Sequence, residues 1–418
     1  MSASAPLPQP QKITAAALSA FIIASLFYLY QYVIRTAPGT FLAEIQTSLG
    51  IDLGTASGMV GALMYTYGAG CLLTGPALDK FGVRRALPFG ALFIGVGSLM
   101  MASPNYEIVA LGRIVQGAGC SFAFVACAFI AAKYLPVAVL ALATGAAQSF
   151  GMSGGSLGGK PLADLAVAQT WSFSKVSLIL GVIGLVFTIA IFLLMPRQRP
   201  DEGKSIAFIA PLKAVLSNPQ SWLLGFVAGA MFAPTTVGDM ALGMTFFERV
   251  YHFNEFGASL VTLLPLGWVV GAPIMGMLSD RIGSRKWVLI PSILFLLAMS
   301  AYTRTTDLAA LSHTALAVIM FVSGVVSGSA MVAYAAIKEA NPPQYAGTSS
   351  GVINGINFTM GALLSSLIGR LLHTYALDAA GNVVSVHSFG LATLPIPIML
   401  CLALPAMFFV KETGARKK

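Results

Sequence analysis

Charge is scarce in this chain. Of its 418 residues only 9% are Asp, Glu, Lys or Arg, against about 25% in an ordinary soluble domain. A soluble protein of this length buries a large core but still needs a charged coat, and this sequence cannot supply one. A chain whose outer face is wetted by lipid has no such need. Cysteine is sparse as well. Cys71, Cys120, Cys127 and Cys401 lie in apolar runs without paired spacing, which gives neither a disulfide framework nor a metal site. A G-x-x-x-x-G-K-[ST] loop is missing, so ATP is excluded as the energy source. No Ser-His-Asp or metal-ligand cluster points to an enzyme or a cofactor. His252, His313, His373 and His387 fall in or near expected outer loops.

What is present is apolar: 57% of the residues, with 43 glycines. Runs of about 20 apolar residues are long enough to cross a bilayer. Twelve such segments are expected, near 13–40, 55–77, 86–103, 105–132, 139–163, 174–195, 220–246, 256–278, 287–304, 310–336, 346–372 and 388–410. The fold class is therefore an all-α membrane protein. The first run continues into "RTAPG" without a small-x-small cleavage site, so it reads as a span and not as a removed signal. With the N-terminus inside, seventeen of the 24 Lys and Arg residues fall on the inner side, which places both termini in the cytoplasm. The net charge of +9 is then a topological signal. Its scatter over short loops does not suit nucleic acid. The low charge and short tails suit a bacterial inner membrane.

The chain also repeats itself. "GPALDKFGVRR" (75–85) and "GMLSDRIGSRK" (276–286) match at Gly75/Gly276, Asp79/Asp280, Lys80/Arg281, Gly82/Gly283, Arg84/Arg285 and Arg85/Lys286, each pair 201 residues apart. The longest polar stretch, 195–220, falls between the copies. Two six-helix halves joined by an inner linker are the sequence form of a duplicated transporter, with 1–195 as the first bundle, 196–219 as the linker and 220–418 as the second.

This doubled loop, G-x-x-x-D-[KR]-x-G-x-[KR]-[KR], resembles the signature of the major facilitator superfamily between its second and third helices, and "GRIVQGAG" (112–119) resembles that family's helix-four signature. The resemblance implies two pseudo-symmetric six-helix bundles and alternating access. It also implies that Asp79 and Asp280 face the N-terminus of a helix from the opposite half and lock the inner side, with Arg85 and Lys286 beside them as gating partners. Those basic residues have a plainer reading as markers of orientation. The glycine-rich fifth segment does not match the family's antiporter pattern cleanly, so it does not assign antiport.

Ionisable residues inside spans are functional candidates by default. Tyr28, Gln31, Tyr32 and Arg35 recur at i, i+3, i+4 and i+7, one helix face. A polar stripe of this kind lines a cavity, where Arg35 offers a bidentate clamp for a carboxylate or phosphate; the competing reading is that Arg35 snorkels to head groups. Arg113 and Gln116 either line the same cavity or bond to backbone. Lys160 either pairs with Asp164 or meets a substrate anion. Asp239, Tyr334, Asn354 and Asn357 offer polar groups from the second half.

The expected function is thus a secondary transporter of a small organic anion or zwitterion, proton-coupled, monomeric, with membrane lipid, protons and a small-molecule substrate as its partners. A drug or metabolite exporter of the same fold is the alternative. A non-transporting receptor is the remote one.

Overall fold

The protein is described by a computed structural model covering residues 13–196, 209–239, 246–247, 251, 253–376 and 385–414. Among the described residues every regular element is helical. In the first half these are α1 (Ala15–Thr40), the short α2 (Leu42–Leu49), α3 (Leu53–Phe81), α4 (Val83–Met100), α5 (Tyr106–Tyr134), α6 (Leu140–Leu157), α7 (Lys160–Ala168) and α8 (Phe173–Leu194). A short α9 (Ile209–Leu216) stands in the expected linker. The second half comprises α10 (Pro219–Ala233), α11 (Asn254–Ile282), α12 (Lys286–Thr305), α13 (His313–Ser327), α14 (Ala330–Glu339), α15 (Ala346–Leu371), α16 (Val386–Ala392) and α17 (Pro395–Phe409).

Helix lies over each of the twelve expected segments. Nine described helical stretches are long and apolar enough to cross a membrane, and ten if α16 and α17, bent by 45°, count as one span. The fifth and tenth segments are interrupted, at Gly158–Gly159 between α6 and α7 and at Gly328–Ser329 between α13 and α14. Short polar residues start the helices as the physics of unpaired amides requires. Thr14, Asn105, Ser172 and Ser312 each accept a backbone N–H of the first turn through their side chains. Large apolar side chains such as Val186, Phe192 and Phe408 are exposed. In water such a surface would aggregate, and in a bilayer it is solvated.

Both copies of the repeated loop turn on glycine. Gly82 has φ +75° and Gly283 φ +68°, a region that side-chain-bearing residues disfavour. The face carrying these turns is called the motif face below. Here the two halves meet through α3 against α15 and α6 against α11. A Cβ on Gly75 would lie 2.6 Å from the Gly347 carbonyl oxygen, and one on Gly145 would lie 2.2 Å from that of Ala272. At the far ends of the same helices the contact is lost: Gly58 and Gly61 on α3, and Gly361 and Gly369 on α15, have nothing within 4 Å. The halves are therefore closed at the motif face and diverge away from it.

Candidate functional site

At the centre of the interface, between α1, α3, α5 and α6 of one half and α14 and α15 of the other, the structure gathers aromatic rings, amides and one guanidinium. From α1 come Tyr28 and Tyr32, whose rings meet edge to face at 5.2 Å. Gln148 of α6 ties them together: Tyr28 Oη donates to its Oε1 at 3.0 Å, and its Nε2 donates to Tyr32 Oη at 3.3 Å. Phe124 of α5 bridges the halves, packing 5.5 Å from Tyr28 and 5.1 Å from Tyr334. Tyr334 donates to Asn354 Oδ1 at 3.1 Å and accepts from Asn357 Nδ2 at 2.9 Å. Asn354 Nδ2 reaches across to Tyr67 Oη on α3 at 2.9 Å. The buried polar groups of this cluster are thus bonded to one another, which fixes their orientation.

Arg35 differs from all of them. Its guanidinium carbon sits 5.2 Å from the Tyr32 ring centre and 5.2 Å from that of Phe358 on α15. The guanidinium is thus within cation–π reach of a ring from each half, a contact worth on the order of 0.5–2 kcal/mol per ring. Its edge, which carries the N–H donors, makes no hydrogen bond or ion pair among the described residues. The side chain is half-buried. A guanidinium set between two rings with its N–H donors unpaired among the described residues is a ready clamp for a planar anion.

The predicted α1 stripe splits. Gln31 is fully buried at 0% exposure and has neither amide atom hydrogen bonded. It packs beside the Cys120 thiol inside the first half. Arg113, at 1% exposure, donates to the carbonyls of Val60, Ile34 and Arg35 and to Gln116 Oε1, each at 3.0 Å. Gln116 passes the chain on to Ser98 Oγ at 2.9 Å. Arg113 therefore clamps α1 and α3 onto α5, and its guanidinium is spent on backbone, the plainer of its two sequence readings. The side chains of Lys160 and Asp239 lie outside the described residues.

Below the site, at the motif face, each carboxylate of the repeat docks on a helix start of the other half. Asp79 accepts from the Gly347 and Thr348 amides at 2.8 and 2.7 Å and from the Thr348 hydroxyl, all in the first turn of α15. The positive end of that helix favours the carboxylate. Asp280 accepts from the Leu142 amide at the start of α6 at 3.1 Å. It is also paired at 2.6 Å with Arg285, which holds Glu339 at 2.5 Å. The basic partners differ from those expected. Arg285 takes the place assigned to Lys286, whose described hydrogen bond is a backbone one to Glu412. Arg85 is exposed and Arg84 stacks on Phe192 at 5.6 Å. In each loop the turn directs the first basic residue of the pair inward or along the helix and leaves the second outside.

Glu412, in the tail after α17, caps the start of α12. Its carboxylate accepts from the Ser284 hydroxyl and from the amides of Arg285 and Lys286. Partial burial pushes its pKa up, but these hydrogen bonds outweigh burial and hold it below the usual glutamate range. Tyr67, Phe124, Gln148 and Phe358 were not singled out from the sequence. A glutamine interrupting the small, apolar run "GAAQSFG" was the available signal for Gln148.

The family model described as Major Facilitator Superfamily matches residues 20–366. The chain belongs to the major facilitator superfamily. Its family and its long apolar helices make it an integral, multi-pass membrane protein. Similar proteins include a probable sulfoacetate transporter, SauU, of Cupriavidus necator, 24% identical over 279 residues that cover 62% of this chain and 64% of SauU. They include also a multidrug resistance protein, MdtG, of Citrobacter koseri, 27% identical over 71% of this chain and 73% of MdtG. The chain thus spans less than two thirds of SauU. Among solved structures the Escherichia coli fucose:proton symporter FucP superposes with a TM-score of 0.71 at 15% identity, over 95% of this chain and 99% of that one.

Proposed function

We propose that this superfamily member moves a small organic anion or zwitterion by alternating access, driven by a proton gradient, as a monomer in a bacterial inner membrane with both termini in the cytoplasm. The observation that carries the reading is the Arg35 guanidinium, clasped between rings of both halves with its donor edge unpaired among the described residues. A bound carboxylate, sulfonate or phosphate would take that edge. The amides and hydroxyls of Gln148, Asn354, Asn357 and Tyr334 would meet the uncharged body. The clasp also suggests how binding couples to motion, because the two rings come from halves that must separate and rejoin. The motif face, shut through Asp79 and Asp280, is then the cytoplasmic gate. The names of SauU and FucP are compatible with an anionic cargo and with proton drive respectively.

Aromatic rings are also what an exporter of apolar or cationic compounds would use, and MdtG carries that name. Arg35 opposes a cationic cargo. Uptake into proteoliposomes under an imposed pH gradient decides between them. Carboxylates, sulfonates, phosphate esters and amino acids form the test panel, with neutral sugars and hydrophobic cations beside them. Accumulation of an anion or zwitterion is expected. Movement of the hydrophobic cations alone would overturn the reading.

A further inference from the structure

Lys338, near the end of α14, is buried at 4% exposure. Its Nζ donates to Thr144 Oγ1 of α6 at 3.0 Å, and the Thr144 hydroxyl in turn donates to the Leu140 carbonyl. The bond therefore crosses between the halves, inside the sealed motif face. An ammonium carries three N–H donors, and only this partner is met; no carboxylate lies within 4.0 Å of Nζ among the described residues. The charged groups facing it are Asp280 on α11, Arg285 before α12 and its own neighbour Glu339. α6 and α10 present no ionisable side chain toward it. Both carboxylates are already bonded to Arg285, and they also accept from Leu142 and Thr413. Their longer-range attraction favours an ammonium but does not replace the water it has lost.

We propose that Lys338 is a proton-binding site tied to the gate, neutral when the motif face is sealed and charged when it opens. The inference rests on the alternating-access reading and names a residue that the reading does not use. Opening parts α14 from α6, breaks the Lys338–Thr144 bond and hydrates Nζ, which then binds a proton from the solution at that face. Closure returns the proton to the same solution. Burying a charge without a partner is strongly unfavourable, whereas the neutral amine can still donate to Thr144. The sign follows: protonation stabilises the open face, so acid on that side holds the gate open and alkali seals it. One linked proton changes the open-to-closed ratio by at most about tenfold per pH unit.

Hydrogen–deuterium exchange on the full-length purified protein, without substrate, tests this at about pH 6 and about pH 9, on either side of neutrality and below the ordinary lysine value. Rates are corrected for intrinsic exchange. The segments read are 140–148 and 335–350. The parent is expected to exchange faster at the lower pH. Lys338→Met should lose the pH response and stay protected at both values. Lys338→Arg, which cannot discharge, should lose it and stay unprotected. A parent with no pH response overturns the proposal. So does a Lys338→Met or Lys338→Arg protein that responds as the parent does. No cargo is involved, so the result is independent of the anion reading, whose failure would show in the uptake panel instead.

Discussion

Asp79→Asn is the sharpest perturbation of the gate. The carboxylate of Asp79 accepts two amides, at 2.7 and 2.8 Å, and one hydroxyl, all from the first turn of α15. Hydrogen bonds to a charged group contribute about 1.5–3 kcal/mol each. Asparagine keeps one oxygen but turns an NH2 toward donors, so at least one of these bonds is lost and the others fall to neutral strength. The favourable helix-end term of about 0.3–1 kcal/mol disappears as well. A loss of roughly 3 kcal/mol on the closed side moves the open-to-closed ratio by about 100-fold. The distance between spin labels at Val137→Cys and Gln344→Cys, exposed positions on opposite halves, reads that ratio in a Cys401→Ser background. The parent should show one short distance, and Asp79→Asn should add a longer population. Turnover should fall while equilibrium binding of cargo is spared. An unchanged distance distribution in a folded Asp79→Asn protein would show that this contact does not hold the gate.

Gly145→Val should keep the motif face from sealing, because the added Cβ would stand 2.2 Å from the Ala272 carbonyl oxygen; the same label pair should show the long distance as the main one. Transport in sealed vesicles should follow an imposed pH gradient, and uptake indifferent to both pH and potential would rule out coupling. Glu412 is held below its ordinary range by its hydrogen bonds, so the tail clasp should be intact above the usual glutamate value of about 4.3 and loosen as pH falls through the lower folded value. Limited proteolysis of the tail should therefore be slow at neutral pH and faster in acid, and Glu412→Gln should be cleaved readily already at neutral pH.

The fold was legible because its signals are local. A span announces itself by run length, and the duplication by six matched positions in an eleven-residue stretch, so helices were expected where helices stand. That Asp79 and Asp280 face helix starts of the opposite half was legible through the family resemblance. The site was only partly so. Tyr28, Tyr32 and Arg35 share a face with Gln31 by spacing alone, yet each helical residue turns about 100°, and Gln31 is fully buried beside Cys120 with its amide unbonded. Whether Arg113 meets cargo or backbone depends on which carbonyls α1 and α3 bring within 3.0 Å of it, and no periodicity records that. Tyr67, Gln148 and Phe358 matter through partners more than 80 residues away in the chain. Arg285 displaced Lys286 because the left-handed turn at Gly283 sets which side chain points inward.

Binding at Arg35 is the central claim, and a calorimetric titration measures it once the uptake panel supplies an anion. Removing one partner of a buried charge pair costs on the order of 3–5 kcal/mol, so Arg35→Ala should weaken binding by more than about 100-fold. Arg35→Lys should recover only part of the loss, since an ammonium cannot reproduce the planar fork. If Arg35→Ala binds the anion as tightly as the parent, the guanidinium clasped between Tyr32 and Phe358 does not hold the cargo.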